Sequence, residues 1–511
     1  MISFASSHLS LAAFGLAVVY ELGWIIYCRY FHPLRFVPGP FVASVSRLWA
    51  VYHASNGNME HIQRSLHKKY GYLVRIAPNE VIVSDPGAIK IIYGIKSEFT
   101  KSDFYDAWAA PNEIGYPGHF PSRDEKLHTE HRRLVNHVYS MSSVLDSEMN
   151  IDSCTHLLTE AIQTSARQAT IVNLGLLLNM YAFDVLGELF YGQTFGMIET
   201  RSDVGGYMES IESLLPIFTI GGTLPSWLTP IYLIYKISFS ASLRGAINAT
   251  KRITIASQEA IQRRSRELAD HSNNKPDILR KMLEIVADRG AKVKFTTKHI
   301  LVESQSSLFA GADTTSIALT SVLYYLMRHP VVYRKLVAEI DTAFTTGQLS
   351  NPVTYKEATT ALPYLKACIN EAMRLHPGVG FHLPRVTPLA GATICGVYIP
   401  SGYHVGVNPA VVQYDQGIFG PDAEHFNPDR WLGSNAVEME RIMMPFGAGS
   451  RTCIGKHIAL CQVYKLVPQL LRKFNVRLVR EKEWETRNFW FNKPVDIMVV
   501  FEERDKQKGR E

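Results

Sequence analysis

At 511 residues, 46% hydrophobic and 20% charged, with a formal net charge of +6, the chain can bury a large core and leaves no room for a long disordered or collagenous stretch. No run of lysine and arginine interleaved with aromatic residues marks a nucleic-acid surface. The six cysteines, Cys28, Cys154, Cys368, Cys395, Cys453 and Cys461, are scattered without a CxxC pair, so they read as reduced thiols rather than as a secreted disulfide framework or a paired-cysteine zinc site.

Residues 9–28, LSLAAFGLAVVYELGWIIYC, are almost continuously apolar, and at about 1.5 Å per residue such a helix crosses a bilayer core. Glu21 interrupts the run, and an ionised carboxylate at mid-bilayer is costly unless it snorkels, pairs or protonates. A cleavable signal peptide is the competing reading, but the basic leading region and a small-residue cleavage site are missing. Arg29 and Arg35 succeed the span while residues 1–10 carry no lysine or arginine, which places the C-terminal bulk of the chain on the cytosolic side. The expectation is therefore an anchor over residues 1–30, a stiff hinge over 31–40 marked by Pro33, Pro38, Gly39 and Pro40, and one body over 41–511.

Within the body no second linker, low-complexity tract or internal repeat is visible. Short alternating segments predict strands near residues 73–84 and 393–407, and apolar periodicity predicts long helices over residues 157–189 and 299–326. The expected fold class is mainly α with small β-sheets.

The most specific local pattern is Phe446-Gly447-Ala448-Gly449-Ser450-Arg451-Thr452-Cys453-Ile454-Gly455, a glycine-rich loop entering the largely apolar run 458–471. Its five specified positions, FxxGxRxCxG, recur by chance with a probability on the order of 10⁻⁴ in a chain of this length. A cysteine at a helix N-terminus meets unpaired backbone N–H groups and the positive end of the helix dipole, which favour its thiolate. A thiolate of this kind suits ferric haem. Gly449 and Gly455 let the loop turn sharply and approach a flat ligand, with Phe446 beside them. Arg451 is placed to hold a haem propionate.

These residues resemble the cytochrome P-450 superfamily, and the resemblance extends over nearly the whole chain after the proline-rich segment. Ala310-Gly311-Ala312-Asp313-Thr314-Thr315 is similar to the family's oxygen-binding stretch on its long central helix. Glu371 and Arg374, three apart on one helical face, match its ExxR pair. Phe426-Asn427-Pro428-Asp429-Arg430-Trp431 matches the loop whose arginine, here Arg430, closes a buried network with that pair. Arg385, in Leu383-Pro384-Arg385, and Arg132 stand where the family places propionate partners. At His128 relatives often carry tryptophan, and a histidine there can also donate to a propionate. Lys101 to Tyr105, Tyr139 to Ser142 and the run 380–409 resemble fungal secondary-metabolism members related to pisatin demethylase.

Simpler readings compete at each position. Cys453, His457 and Cys461 could pass for a zinc-binding helical face, but the outer two would lie about 12 Å apart along the axis, too far to share one ion. Gly447-x-Gly449 lacks the third glycine and the acidic residue of a dinucleotide loop. Glu371 and Arg374 alone would be a solvated pair. Thr314 could simply bond the carbonyl four residues back, whereas beside Asp313 it can relay protons to activated dioxygen. The clusters at residues 104–108, 214–227, 379–383 and 489–491 are either pocket lining or ordinary core, and the second, with Trp227 and Pro230, is also a candidate for dipping into a membrane surface.

The resemblance implies haem b with Cys453 as axial iron ligand and electrons from NADPH through NADPH-cytochrome P-450 reductase. It implies one oxygen atom inserted into a lipophilic small molecule, in fungal secondary metabolism, at the endoplasmic reticulum membrane with a single span and a cytosolic catalytic body. Two alternatives remain: an oxygen-independent isomerase or dehydratase on the same fold, and a haem-binding sensor without catalysis.

Overall fold

The computed structural model describes residues 2–109, 114–270, 272 and 275–504, with the backbone alone for 2–11. Met1 and the end of the expected body at residue 511 lie outside them. Helices dominate, and among the described residues the strands form a five-stranded sheet, a three-stranded sheet and two hairpins.

The first helix, Ile2–Ile26, runs into a π-helical turn, Tyr27–Phe31. Its apolar portion Ala12–Phe31 is long enough to cross a membrane and is almost entirely unburied. The proline-rich segment after it is packed against the body. Leu34 is fully buried and Val37 nearly so, and the Arg75 N–H donates to Pro38 O at 2.8 Å. Gly39 is required there, because a Cβ would fall 2.3 Å from Arg75 O.

The strands expected near residues 73–84 are Leu73–Ala77 and Glu80–Val83, which pair antiparallel. The second then runs parallel to His404–Val407, in the register Glu80 with His404 and Val83 with Val407. Arg385–Val386 and Thr100–Lys101 complete the sheet and set Lys101 opposite Arg385.

The core lies around the helix Thr297–Arg328, which contains the predicted 299–326. It begins where the Thr296 N–H donates to the His299 imidazole at 3.1 Å. It stops at His329, because the adjoining Pro330 disfavours helical backbone in the residue before it. Helices Leu174–Tyr191, Pro363–Leu375 and Lys456–Lys473 pack on it. Leu174–Tyr191 is apolar enough to span a membrane but is mostly buried, which makes it a core helix.

One expectation is corrected. Residues 157–189 form two helices, Glu148–Arg167 and Leu174–Tyr191, rather than one. Ala169 turns to φ +47°, Val172 and Asn173 pair with Val499 and Met498, and Asn173 Oδ1 caps the second helix by accepting from the Leu176 N–H at 3.1 Å. The apolar spacing continues through the break because both helices face one core, so periodicity alone conceals it.

A further helix, Thr229–Phe239, has no buried residue. Trp227 before it and Ile231, Ile234 and Phe239 along it expose large apolar side chains.

Candidate active site

The loop before helix Lys456–Lys473 presents Cys453. Its backbone is fixed by Cys453 N–H donating to Phe446 O at 2.8 Å and by Gly447 N–H donating to Met444 O at 3.0 Å. Gly449 sits at φ +65°, and a Cβ there would come within 1.6 Å of Tyr93 O, so only glycine lets this loop lie on helix Ala88–Tyr93. Cys453 precedes the helix, whose N-cap is Gly455, so it does not share a helical face with His457 and Cys461. Burial pushes the thiol up, while the N–H groups of Gly455 and Lys456 and the charge of Arg132 pull it back. The side chain retains accessible surface although it lies deep in the molecule, as expected of a residue lining an internal cleft.

At this loop, which itself contributes Arg451, the structure gathers four cations. Lys101, Arg132, Arg385 and Arg451 stand together with Glu125 as their nearby carboxylate. Arg451 Nη2 pairs with Glu125 Oε1 at 2.7 Å. Arg385 Nη1 donates to the Tyr105 hydroxyl at 3.0 Å and to Pro384 O at 3.1 Å, neither of which balances its charge. Lys101 is buried and donates to Phe120 O. Burial, then the charges of Arg385 and Arg451, push its ammonium well below the ordinary lysine range. His128 is buried with Nδ1 unpartnered, and burial followed by Arg451 lowers its pKa to about 2, leaving a neutral donor. A buried cluster with surplus positive charge and an orphaned imidazole is complementary to a dianion, and the two propionates of haem fit it.

The structure also brings Glu371, Arg374 and Arg430 together. Arg374 Nε and Nη2 donate to the two Glu371 oxygens, both at 2.8 Å. Arg430 Nε donates to Oε1 at 3.0 Å and Trp431 Nε1 to Oε2 at 2.8 Å. The spare Arg374 hydrogens go to Gln413 O and Ala423 O. Every donor is satisfied in a dry environment, as a buried ion pair requires.

Asp313 and Thr314 lie on the central helix but face apart. The Thr314 hydroxyl donates to Ala310 O at 2.9 Å, and the side chain is partly exposed beside Gly378. Asp313 is buried and accepts from Asn179 Nδ2 at 2.7 Å.

The aromatic clusters converge as a wall. Phe104 stacks on Phe381 and Trp490 with ring centroids 5.5 and 5.2 Å apart, Trp108 meets Phe218 at 5.5 Å, and Phe218 meets Phe309 at 6.2 Å. Trp227, from the same predicted cluster as Phe218, points to solvent. Asn179 and Lys493 carry no local motif, and sequence reading did not single them out; Lys101 was marked only as part of the segment that resembles the fungal members, without a role.

A cysteine sulfur cradled by backbone N–H groups beside a cationic cluster has the chemistry that a haem-thiolate protein requires. The chain belongs to the cytochrome P-450 family, whose profile matches residues 38–501, and it is a cytochrome P-450 monooxygenase, with haem iron as the family's prosthetic group. It is 42% identical over 491 residues, covering 96% of both chains, to cytochrome P-450 monooxygenase gsfF of Penicillium aethiopicum. It is 32% identical to pisatin demethylase of Fusarium vanettenii, covering 93% of this chain and 90% of that one. To monooxygenase cicH of Emericella nidulans it is 34% identical, over 92% of this chain and 94% of the relative.

Proposed function

We propose that the protein inserts one oxygen atom of dioxygen into a lipophilic small molecule of fungal secondary metabolism. Its electrons come singly from NADPH-cytochrome P-450 reductase, and it works at the endoplasmic reticulum membrane with the body on the cytosolic side. The observation that carries the chemistry is the Cys453 sulfur receiving the Gly455 and Lys456 N–H groups beside Lys101, Arg132, Arg385 and Arg451. The kinship with gsfF, cicH and pisatin demethylase supports the metabolic setting, and the apolar span Ala12–Phe31 supports the membrane.

In this reading Cys453 would hold the haem iron through its thiolate, and bound haem would supply the oxygen-activating chemistry, to which a thiolate contributes electron density. Arg132, Arg385, Arg451 and His128 would hold the propionates, with Lys101 beside them. Phe446, Gly449 and Gly455 shape the proximal loop. Glu371, Arg374 and Arg430 fix the backbone around it. The apolar wall of Phe104, Trp108, Phe218, Phe381 and Trp490 excludes water and selects lipophilic substrates. Thr314, on releasing Ala310 O, orients a water for proton delivery, with Asp313 as the acid one residue away.

The test is expression in yeast microsomes with reductase and a panel of lipophilic compounds, read by product mass. A product gaining one oxygen, or its dealkylated descendant, that requires both NADPH and dioxygen is expected. Turnover that proceeds without dioxygen would replace this reading with a rearrangement or dehydration.

A further inference from the structure

Three side chains with no part in the groups already assigned stand as hydroxyl, imidazole and carboxylate in succession. The Tyr116 hydroxyl lies 2.6 Å from His119 Nδ1. His119 Nε2 stands 3.0 Å from Oε1 of Glu303 on the central helix, within ion-pair reach though off the line of a hydrogen bond. Glu303 Oε2 accepts from the Tyr139 hydroxyl at 3.2 Å. Tyr116, Tyr139 and Glu303 are all buried.

Burial opposes the Glu303 charge, but His119 and the Tyr139 hydroxyl outweigh it and keep the carboxyl below its ordinary range. An ionised carboxylate only accepts hydrogen bonds, so the ring nitrogen facing it carries hydrogen. In the neutral ring Nδ1 is then the bare nitrogen, and Tyr116 is the donor. Burial followed by Glu303 raises the Tyr116 pKa, so the phenol stays protonated at rest, with a base in reach of its proton. His131 lies flat on the Tyr116 ring, centroids 3.9 Å apart and planes 10° from parallel. Burial and then His299 lower the His131 pKa to about 4, so near neutral pH the stacked ring brings no charge against the phenol. Tyr139 lacks such a setting, since it donates to a carboxylate and meets the Ser307 hydroxyl at 3.1 Å, both weaker bases than imidazole. The trio borders the cation cluster: Arg451 Nη1 donates to His119 O at 3.5 Å, and Arg132 feels the charge of Cys453 and, after it, of Tyr116 and Glu303.

We propose that Tyr116 is a redox-active residue that gives one electron to the haem site and, in the same step, its phenol proton to His119, drawing off an oxidising equivalent that no substrate has consumed. The proposal rests on reading the Cys453 loop and its cations as a haem-thiolate site. The Tyr116 O–H bond breaks and a His119 Nδ1–H bond forms. The electron reduces the haem site by one, leaving a neutral phenoxyl radical and an imidazolium that faces the Glu303 carboxylate. The oxidant is dioxygen activated with NADPH electrons. A later electron from NADPH through the reductase, with the proton back from Nδ1, rebuilds the phenol.

The test mixes the full-length, haem-loaded protein with peracetic acid, which becomes acetic acid and water as it oxidises the haem site, without NADPH or substrate. Samples frozen at increasing times are read by electron paramagnetic resonance, and the parent should give a tyrosyl radical. Tyr116→Phe should lose that signal and Tyr139→Phe should keep it. His119→Gln, which leaves an acceptor but no base, should slow its formation about a hundredfold or more, the lower end of acid–base assistance. The carbon monoxide difference band should remain in all three variants. A signal that persists in Tyr116→Phe, or that forms at the parent's rate in His119→Gln, overturns the proposal. So does a parent that shows the band and yields no tyrosyl radical. A parent without the band would instead overturn the haem-thiolate reading, and this proposal with it. Should either variant fail to load haem, 3-fluorotyrosine placed at position 116 keeps the ring and its partners. Fluorine splitting of the radical signal is then expected, and an unsplit signal places the radical elsewhere and overturns the proposal.

Discussion

Arg374 and Glu371 meet in complete burial through two parallel hydrogen bonds of 2.8 Å, one to each carboxylate oxygen. Removing one partner of such a pair strands the other charge at about 3–5 kcal/mol, a large part of the roughly 5–15 kcal/mol that holds a domain folded. Arg374→Ala should therefore express without haem and with a Tm depressed by many degrees, because each Glu371 oxygen loses one buried donor and the carboxylate loses the nearer of its two guanidinium charges. Normal haem content in this variant would show that the network is dispensable.

Replacing Cys453 tests the proximal ligand. Cys453→Ala should lose the thiolate-specific carbon monoxide difference band, since alanine offers no donor to iron. Cys395→Ser, at an exposed cysteine beside Asp85, serves as the control and should leave the band intact. A band that survives in Cys453→Ala removes Cys453 from the iron.

Membrane attachment should have two components. Deleting residues 2–26 removes most of the span Ala12–Phe31, yet Trp227, Ile234 and Phe239 still present large apolar side chains to solvent. At about 1.5–3 kcal/mol for each such side chain taken out of water, the truncated protein should sediment partly with microsomes. Adding Trp227→Ser, Ile234→Ser and Phe239→Ser should release it into the supernatant. Full release by truncation alone would show that this surface does not touch the bilayer.

Glu60 gives the fold a pH dependence. Its Oε1 accepts from the Thr486 hydroxyl at 3.0 Å and its Oε2 is buried without a partner, so burial raises its pKa to about 7 from 4.5. The folded state binds this proton more tightly than the unfolded chain does. Its contribution to stability is therefore complete below about pH 4.5 and is lost as the pH rises through 7. Glu60→Gln keeps an acceptor for Thr486 and removes the titration, so at pH 8 it should be more stable than the parent by about 3 kcal/mol. The advantage should disappear toward pH 4.5, which melting curves across that window would reveal. Parallel curves for the two proteins would assign the pH dependence to other groups.

Sequence reading went furthest where chemistry depends on neighbours along the chain. The thiolate loop is a local object: ten consecutive residues carry the glycines, the arginine and the cysteine, and the helix dipole is implied directly by the apolar run after them. The central helix and the strands near residues 73–84 were legible for the same reason, since the helical and strand periods are short. The break at Ala169 was not, because no proline or glycine marks it and the left-handed turn is imposed by strand pairing with residues far along the chain. Lys101 acquires its surroundings from pairing with Arg385, and Lys493 its place beside Asp313 from a strand 180 positions away. Neither contact leaves a pattern in one sequence. Arg430 was placed beside Glu371 through family likeness alone, since nothing in its spacing predicts the contact.

Gly39 bears on how the protein works as a mechanical object. With the Arg75 carbonyl pressed against its α-carbon, Trp24 Nε1 donating to Val45 O at 2.8 Å and Arg75 Nη1 donating to Cys28 O, the apolar helix is clamped to the body rather than leashed to it. With the apolar helix in a bilayer, as proposed, a clamped body would keep one tilt over it and could not tumble, and an electron donor in the same bilayer would then search for the body in a plane and over a narrow range of angles.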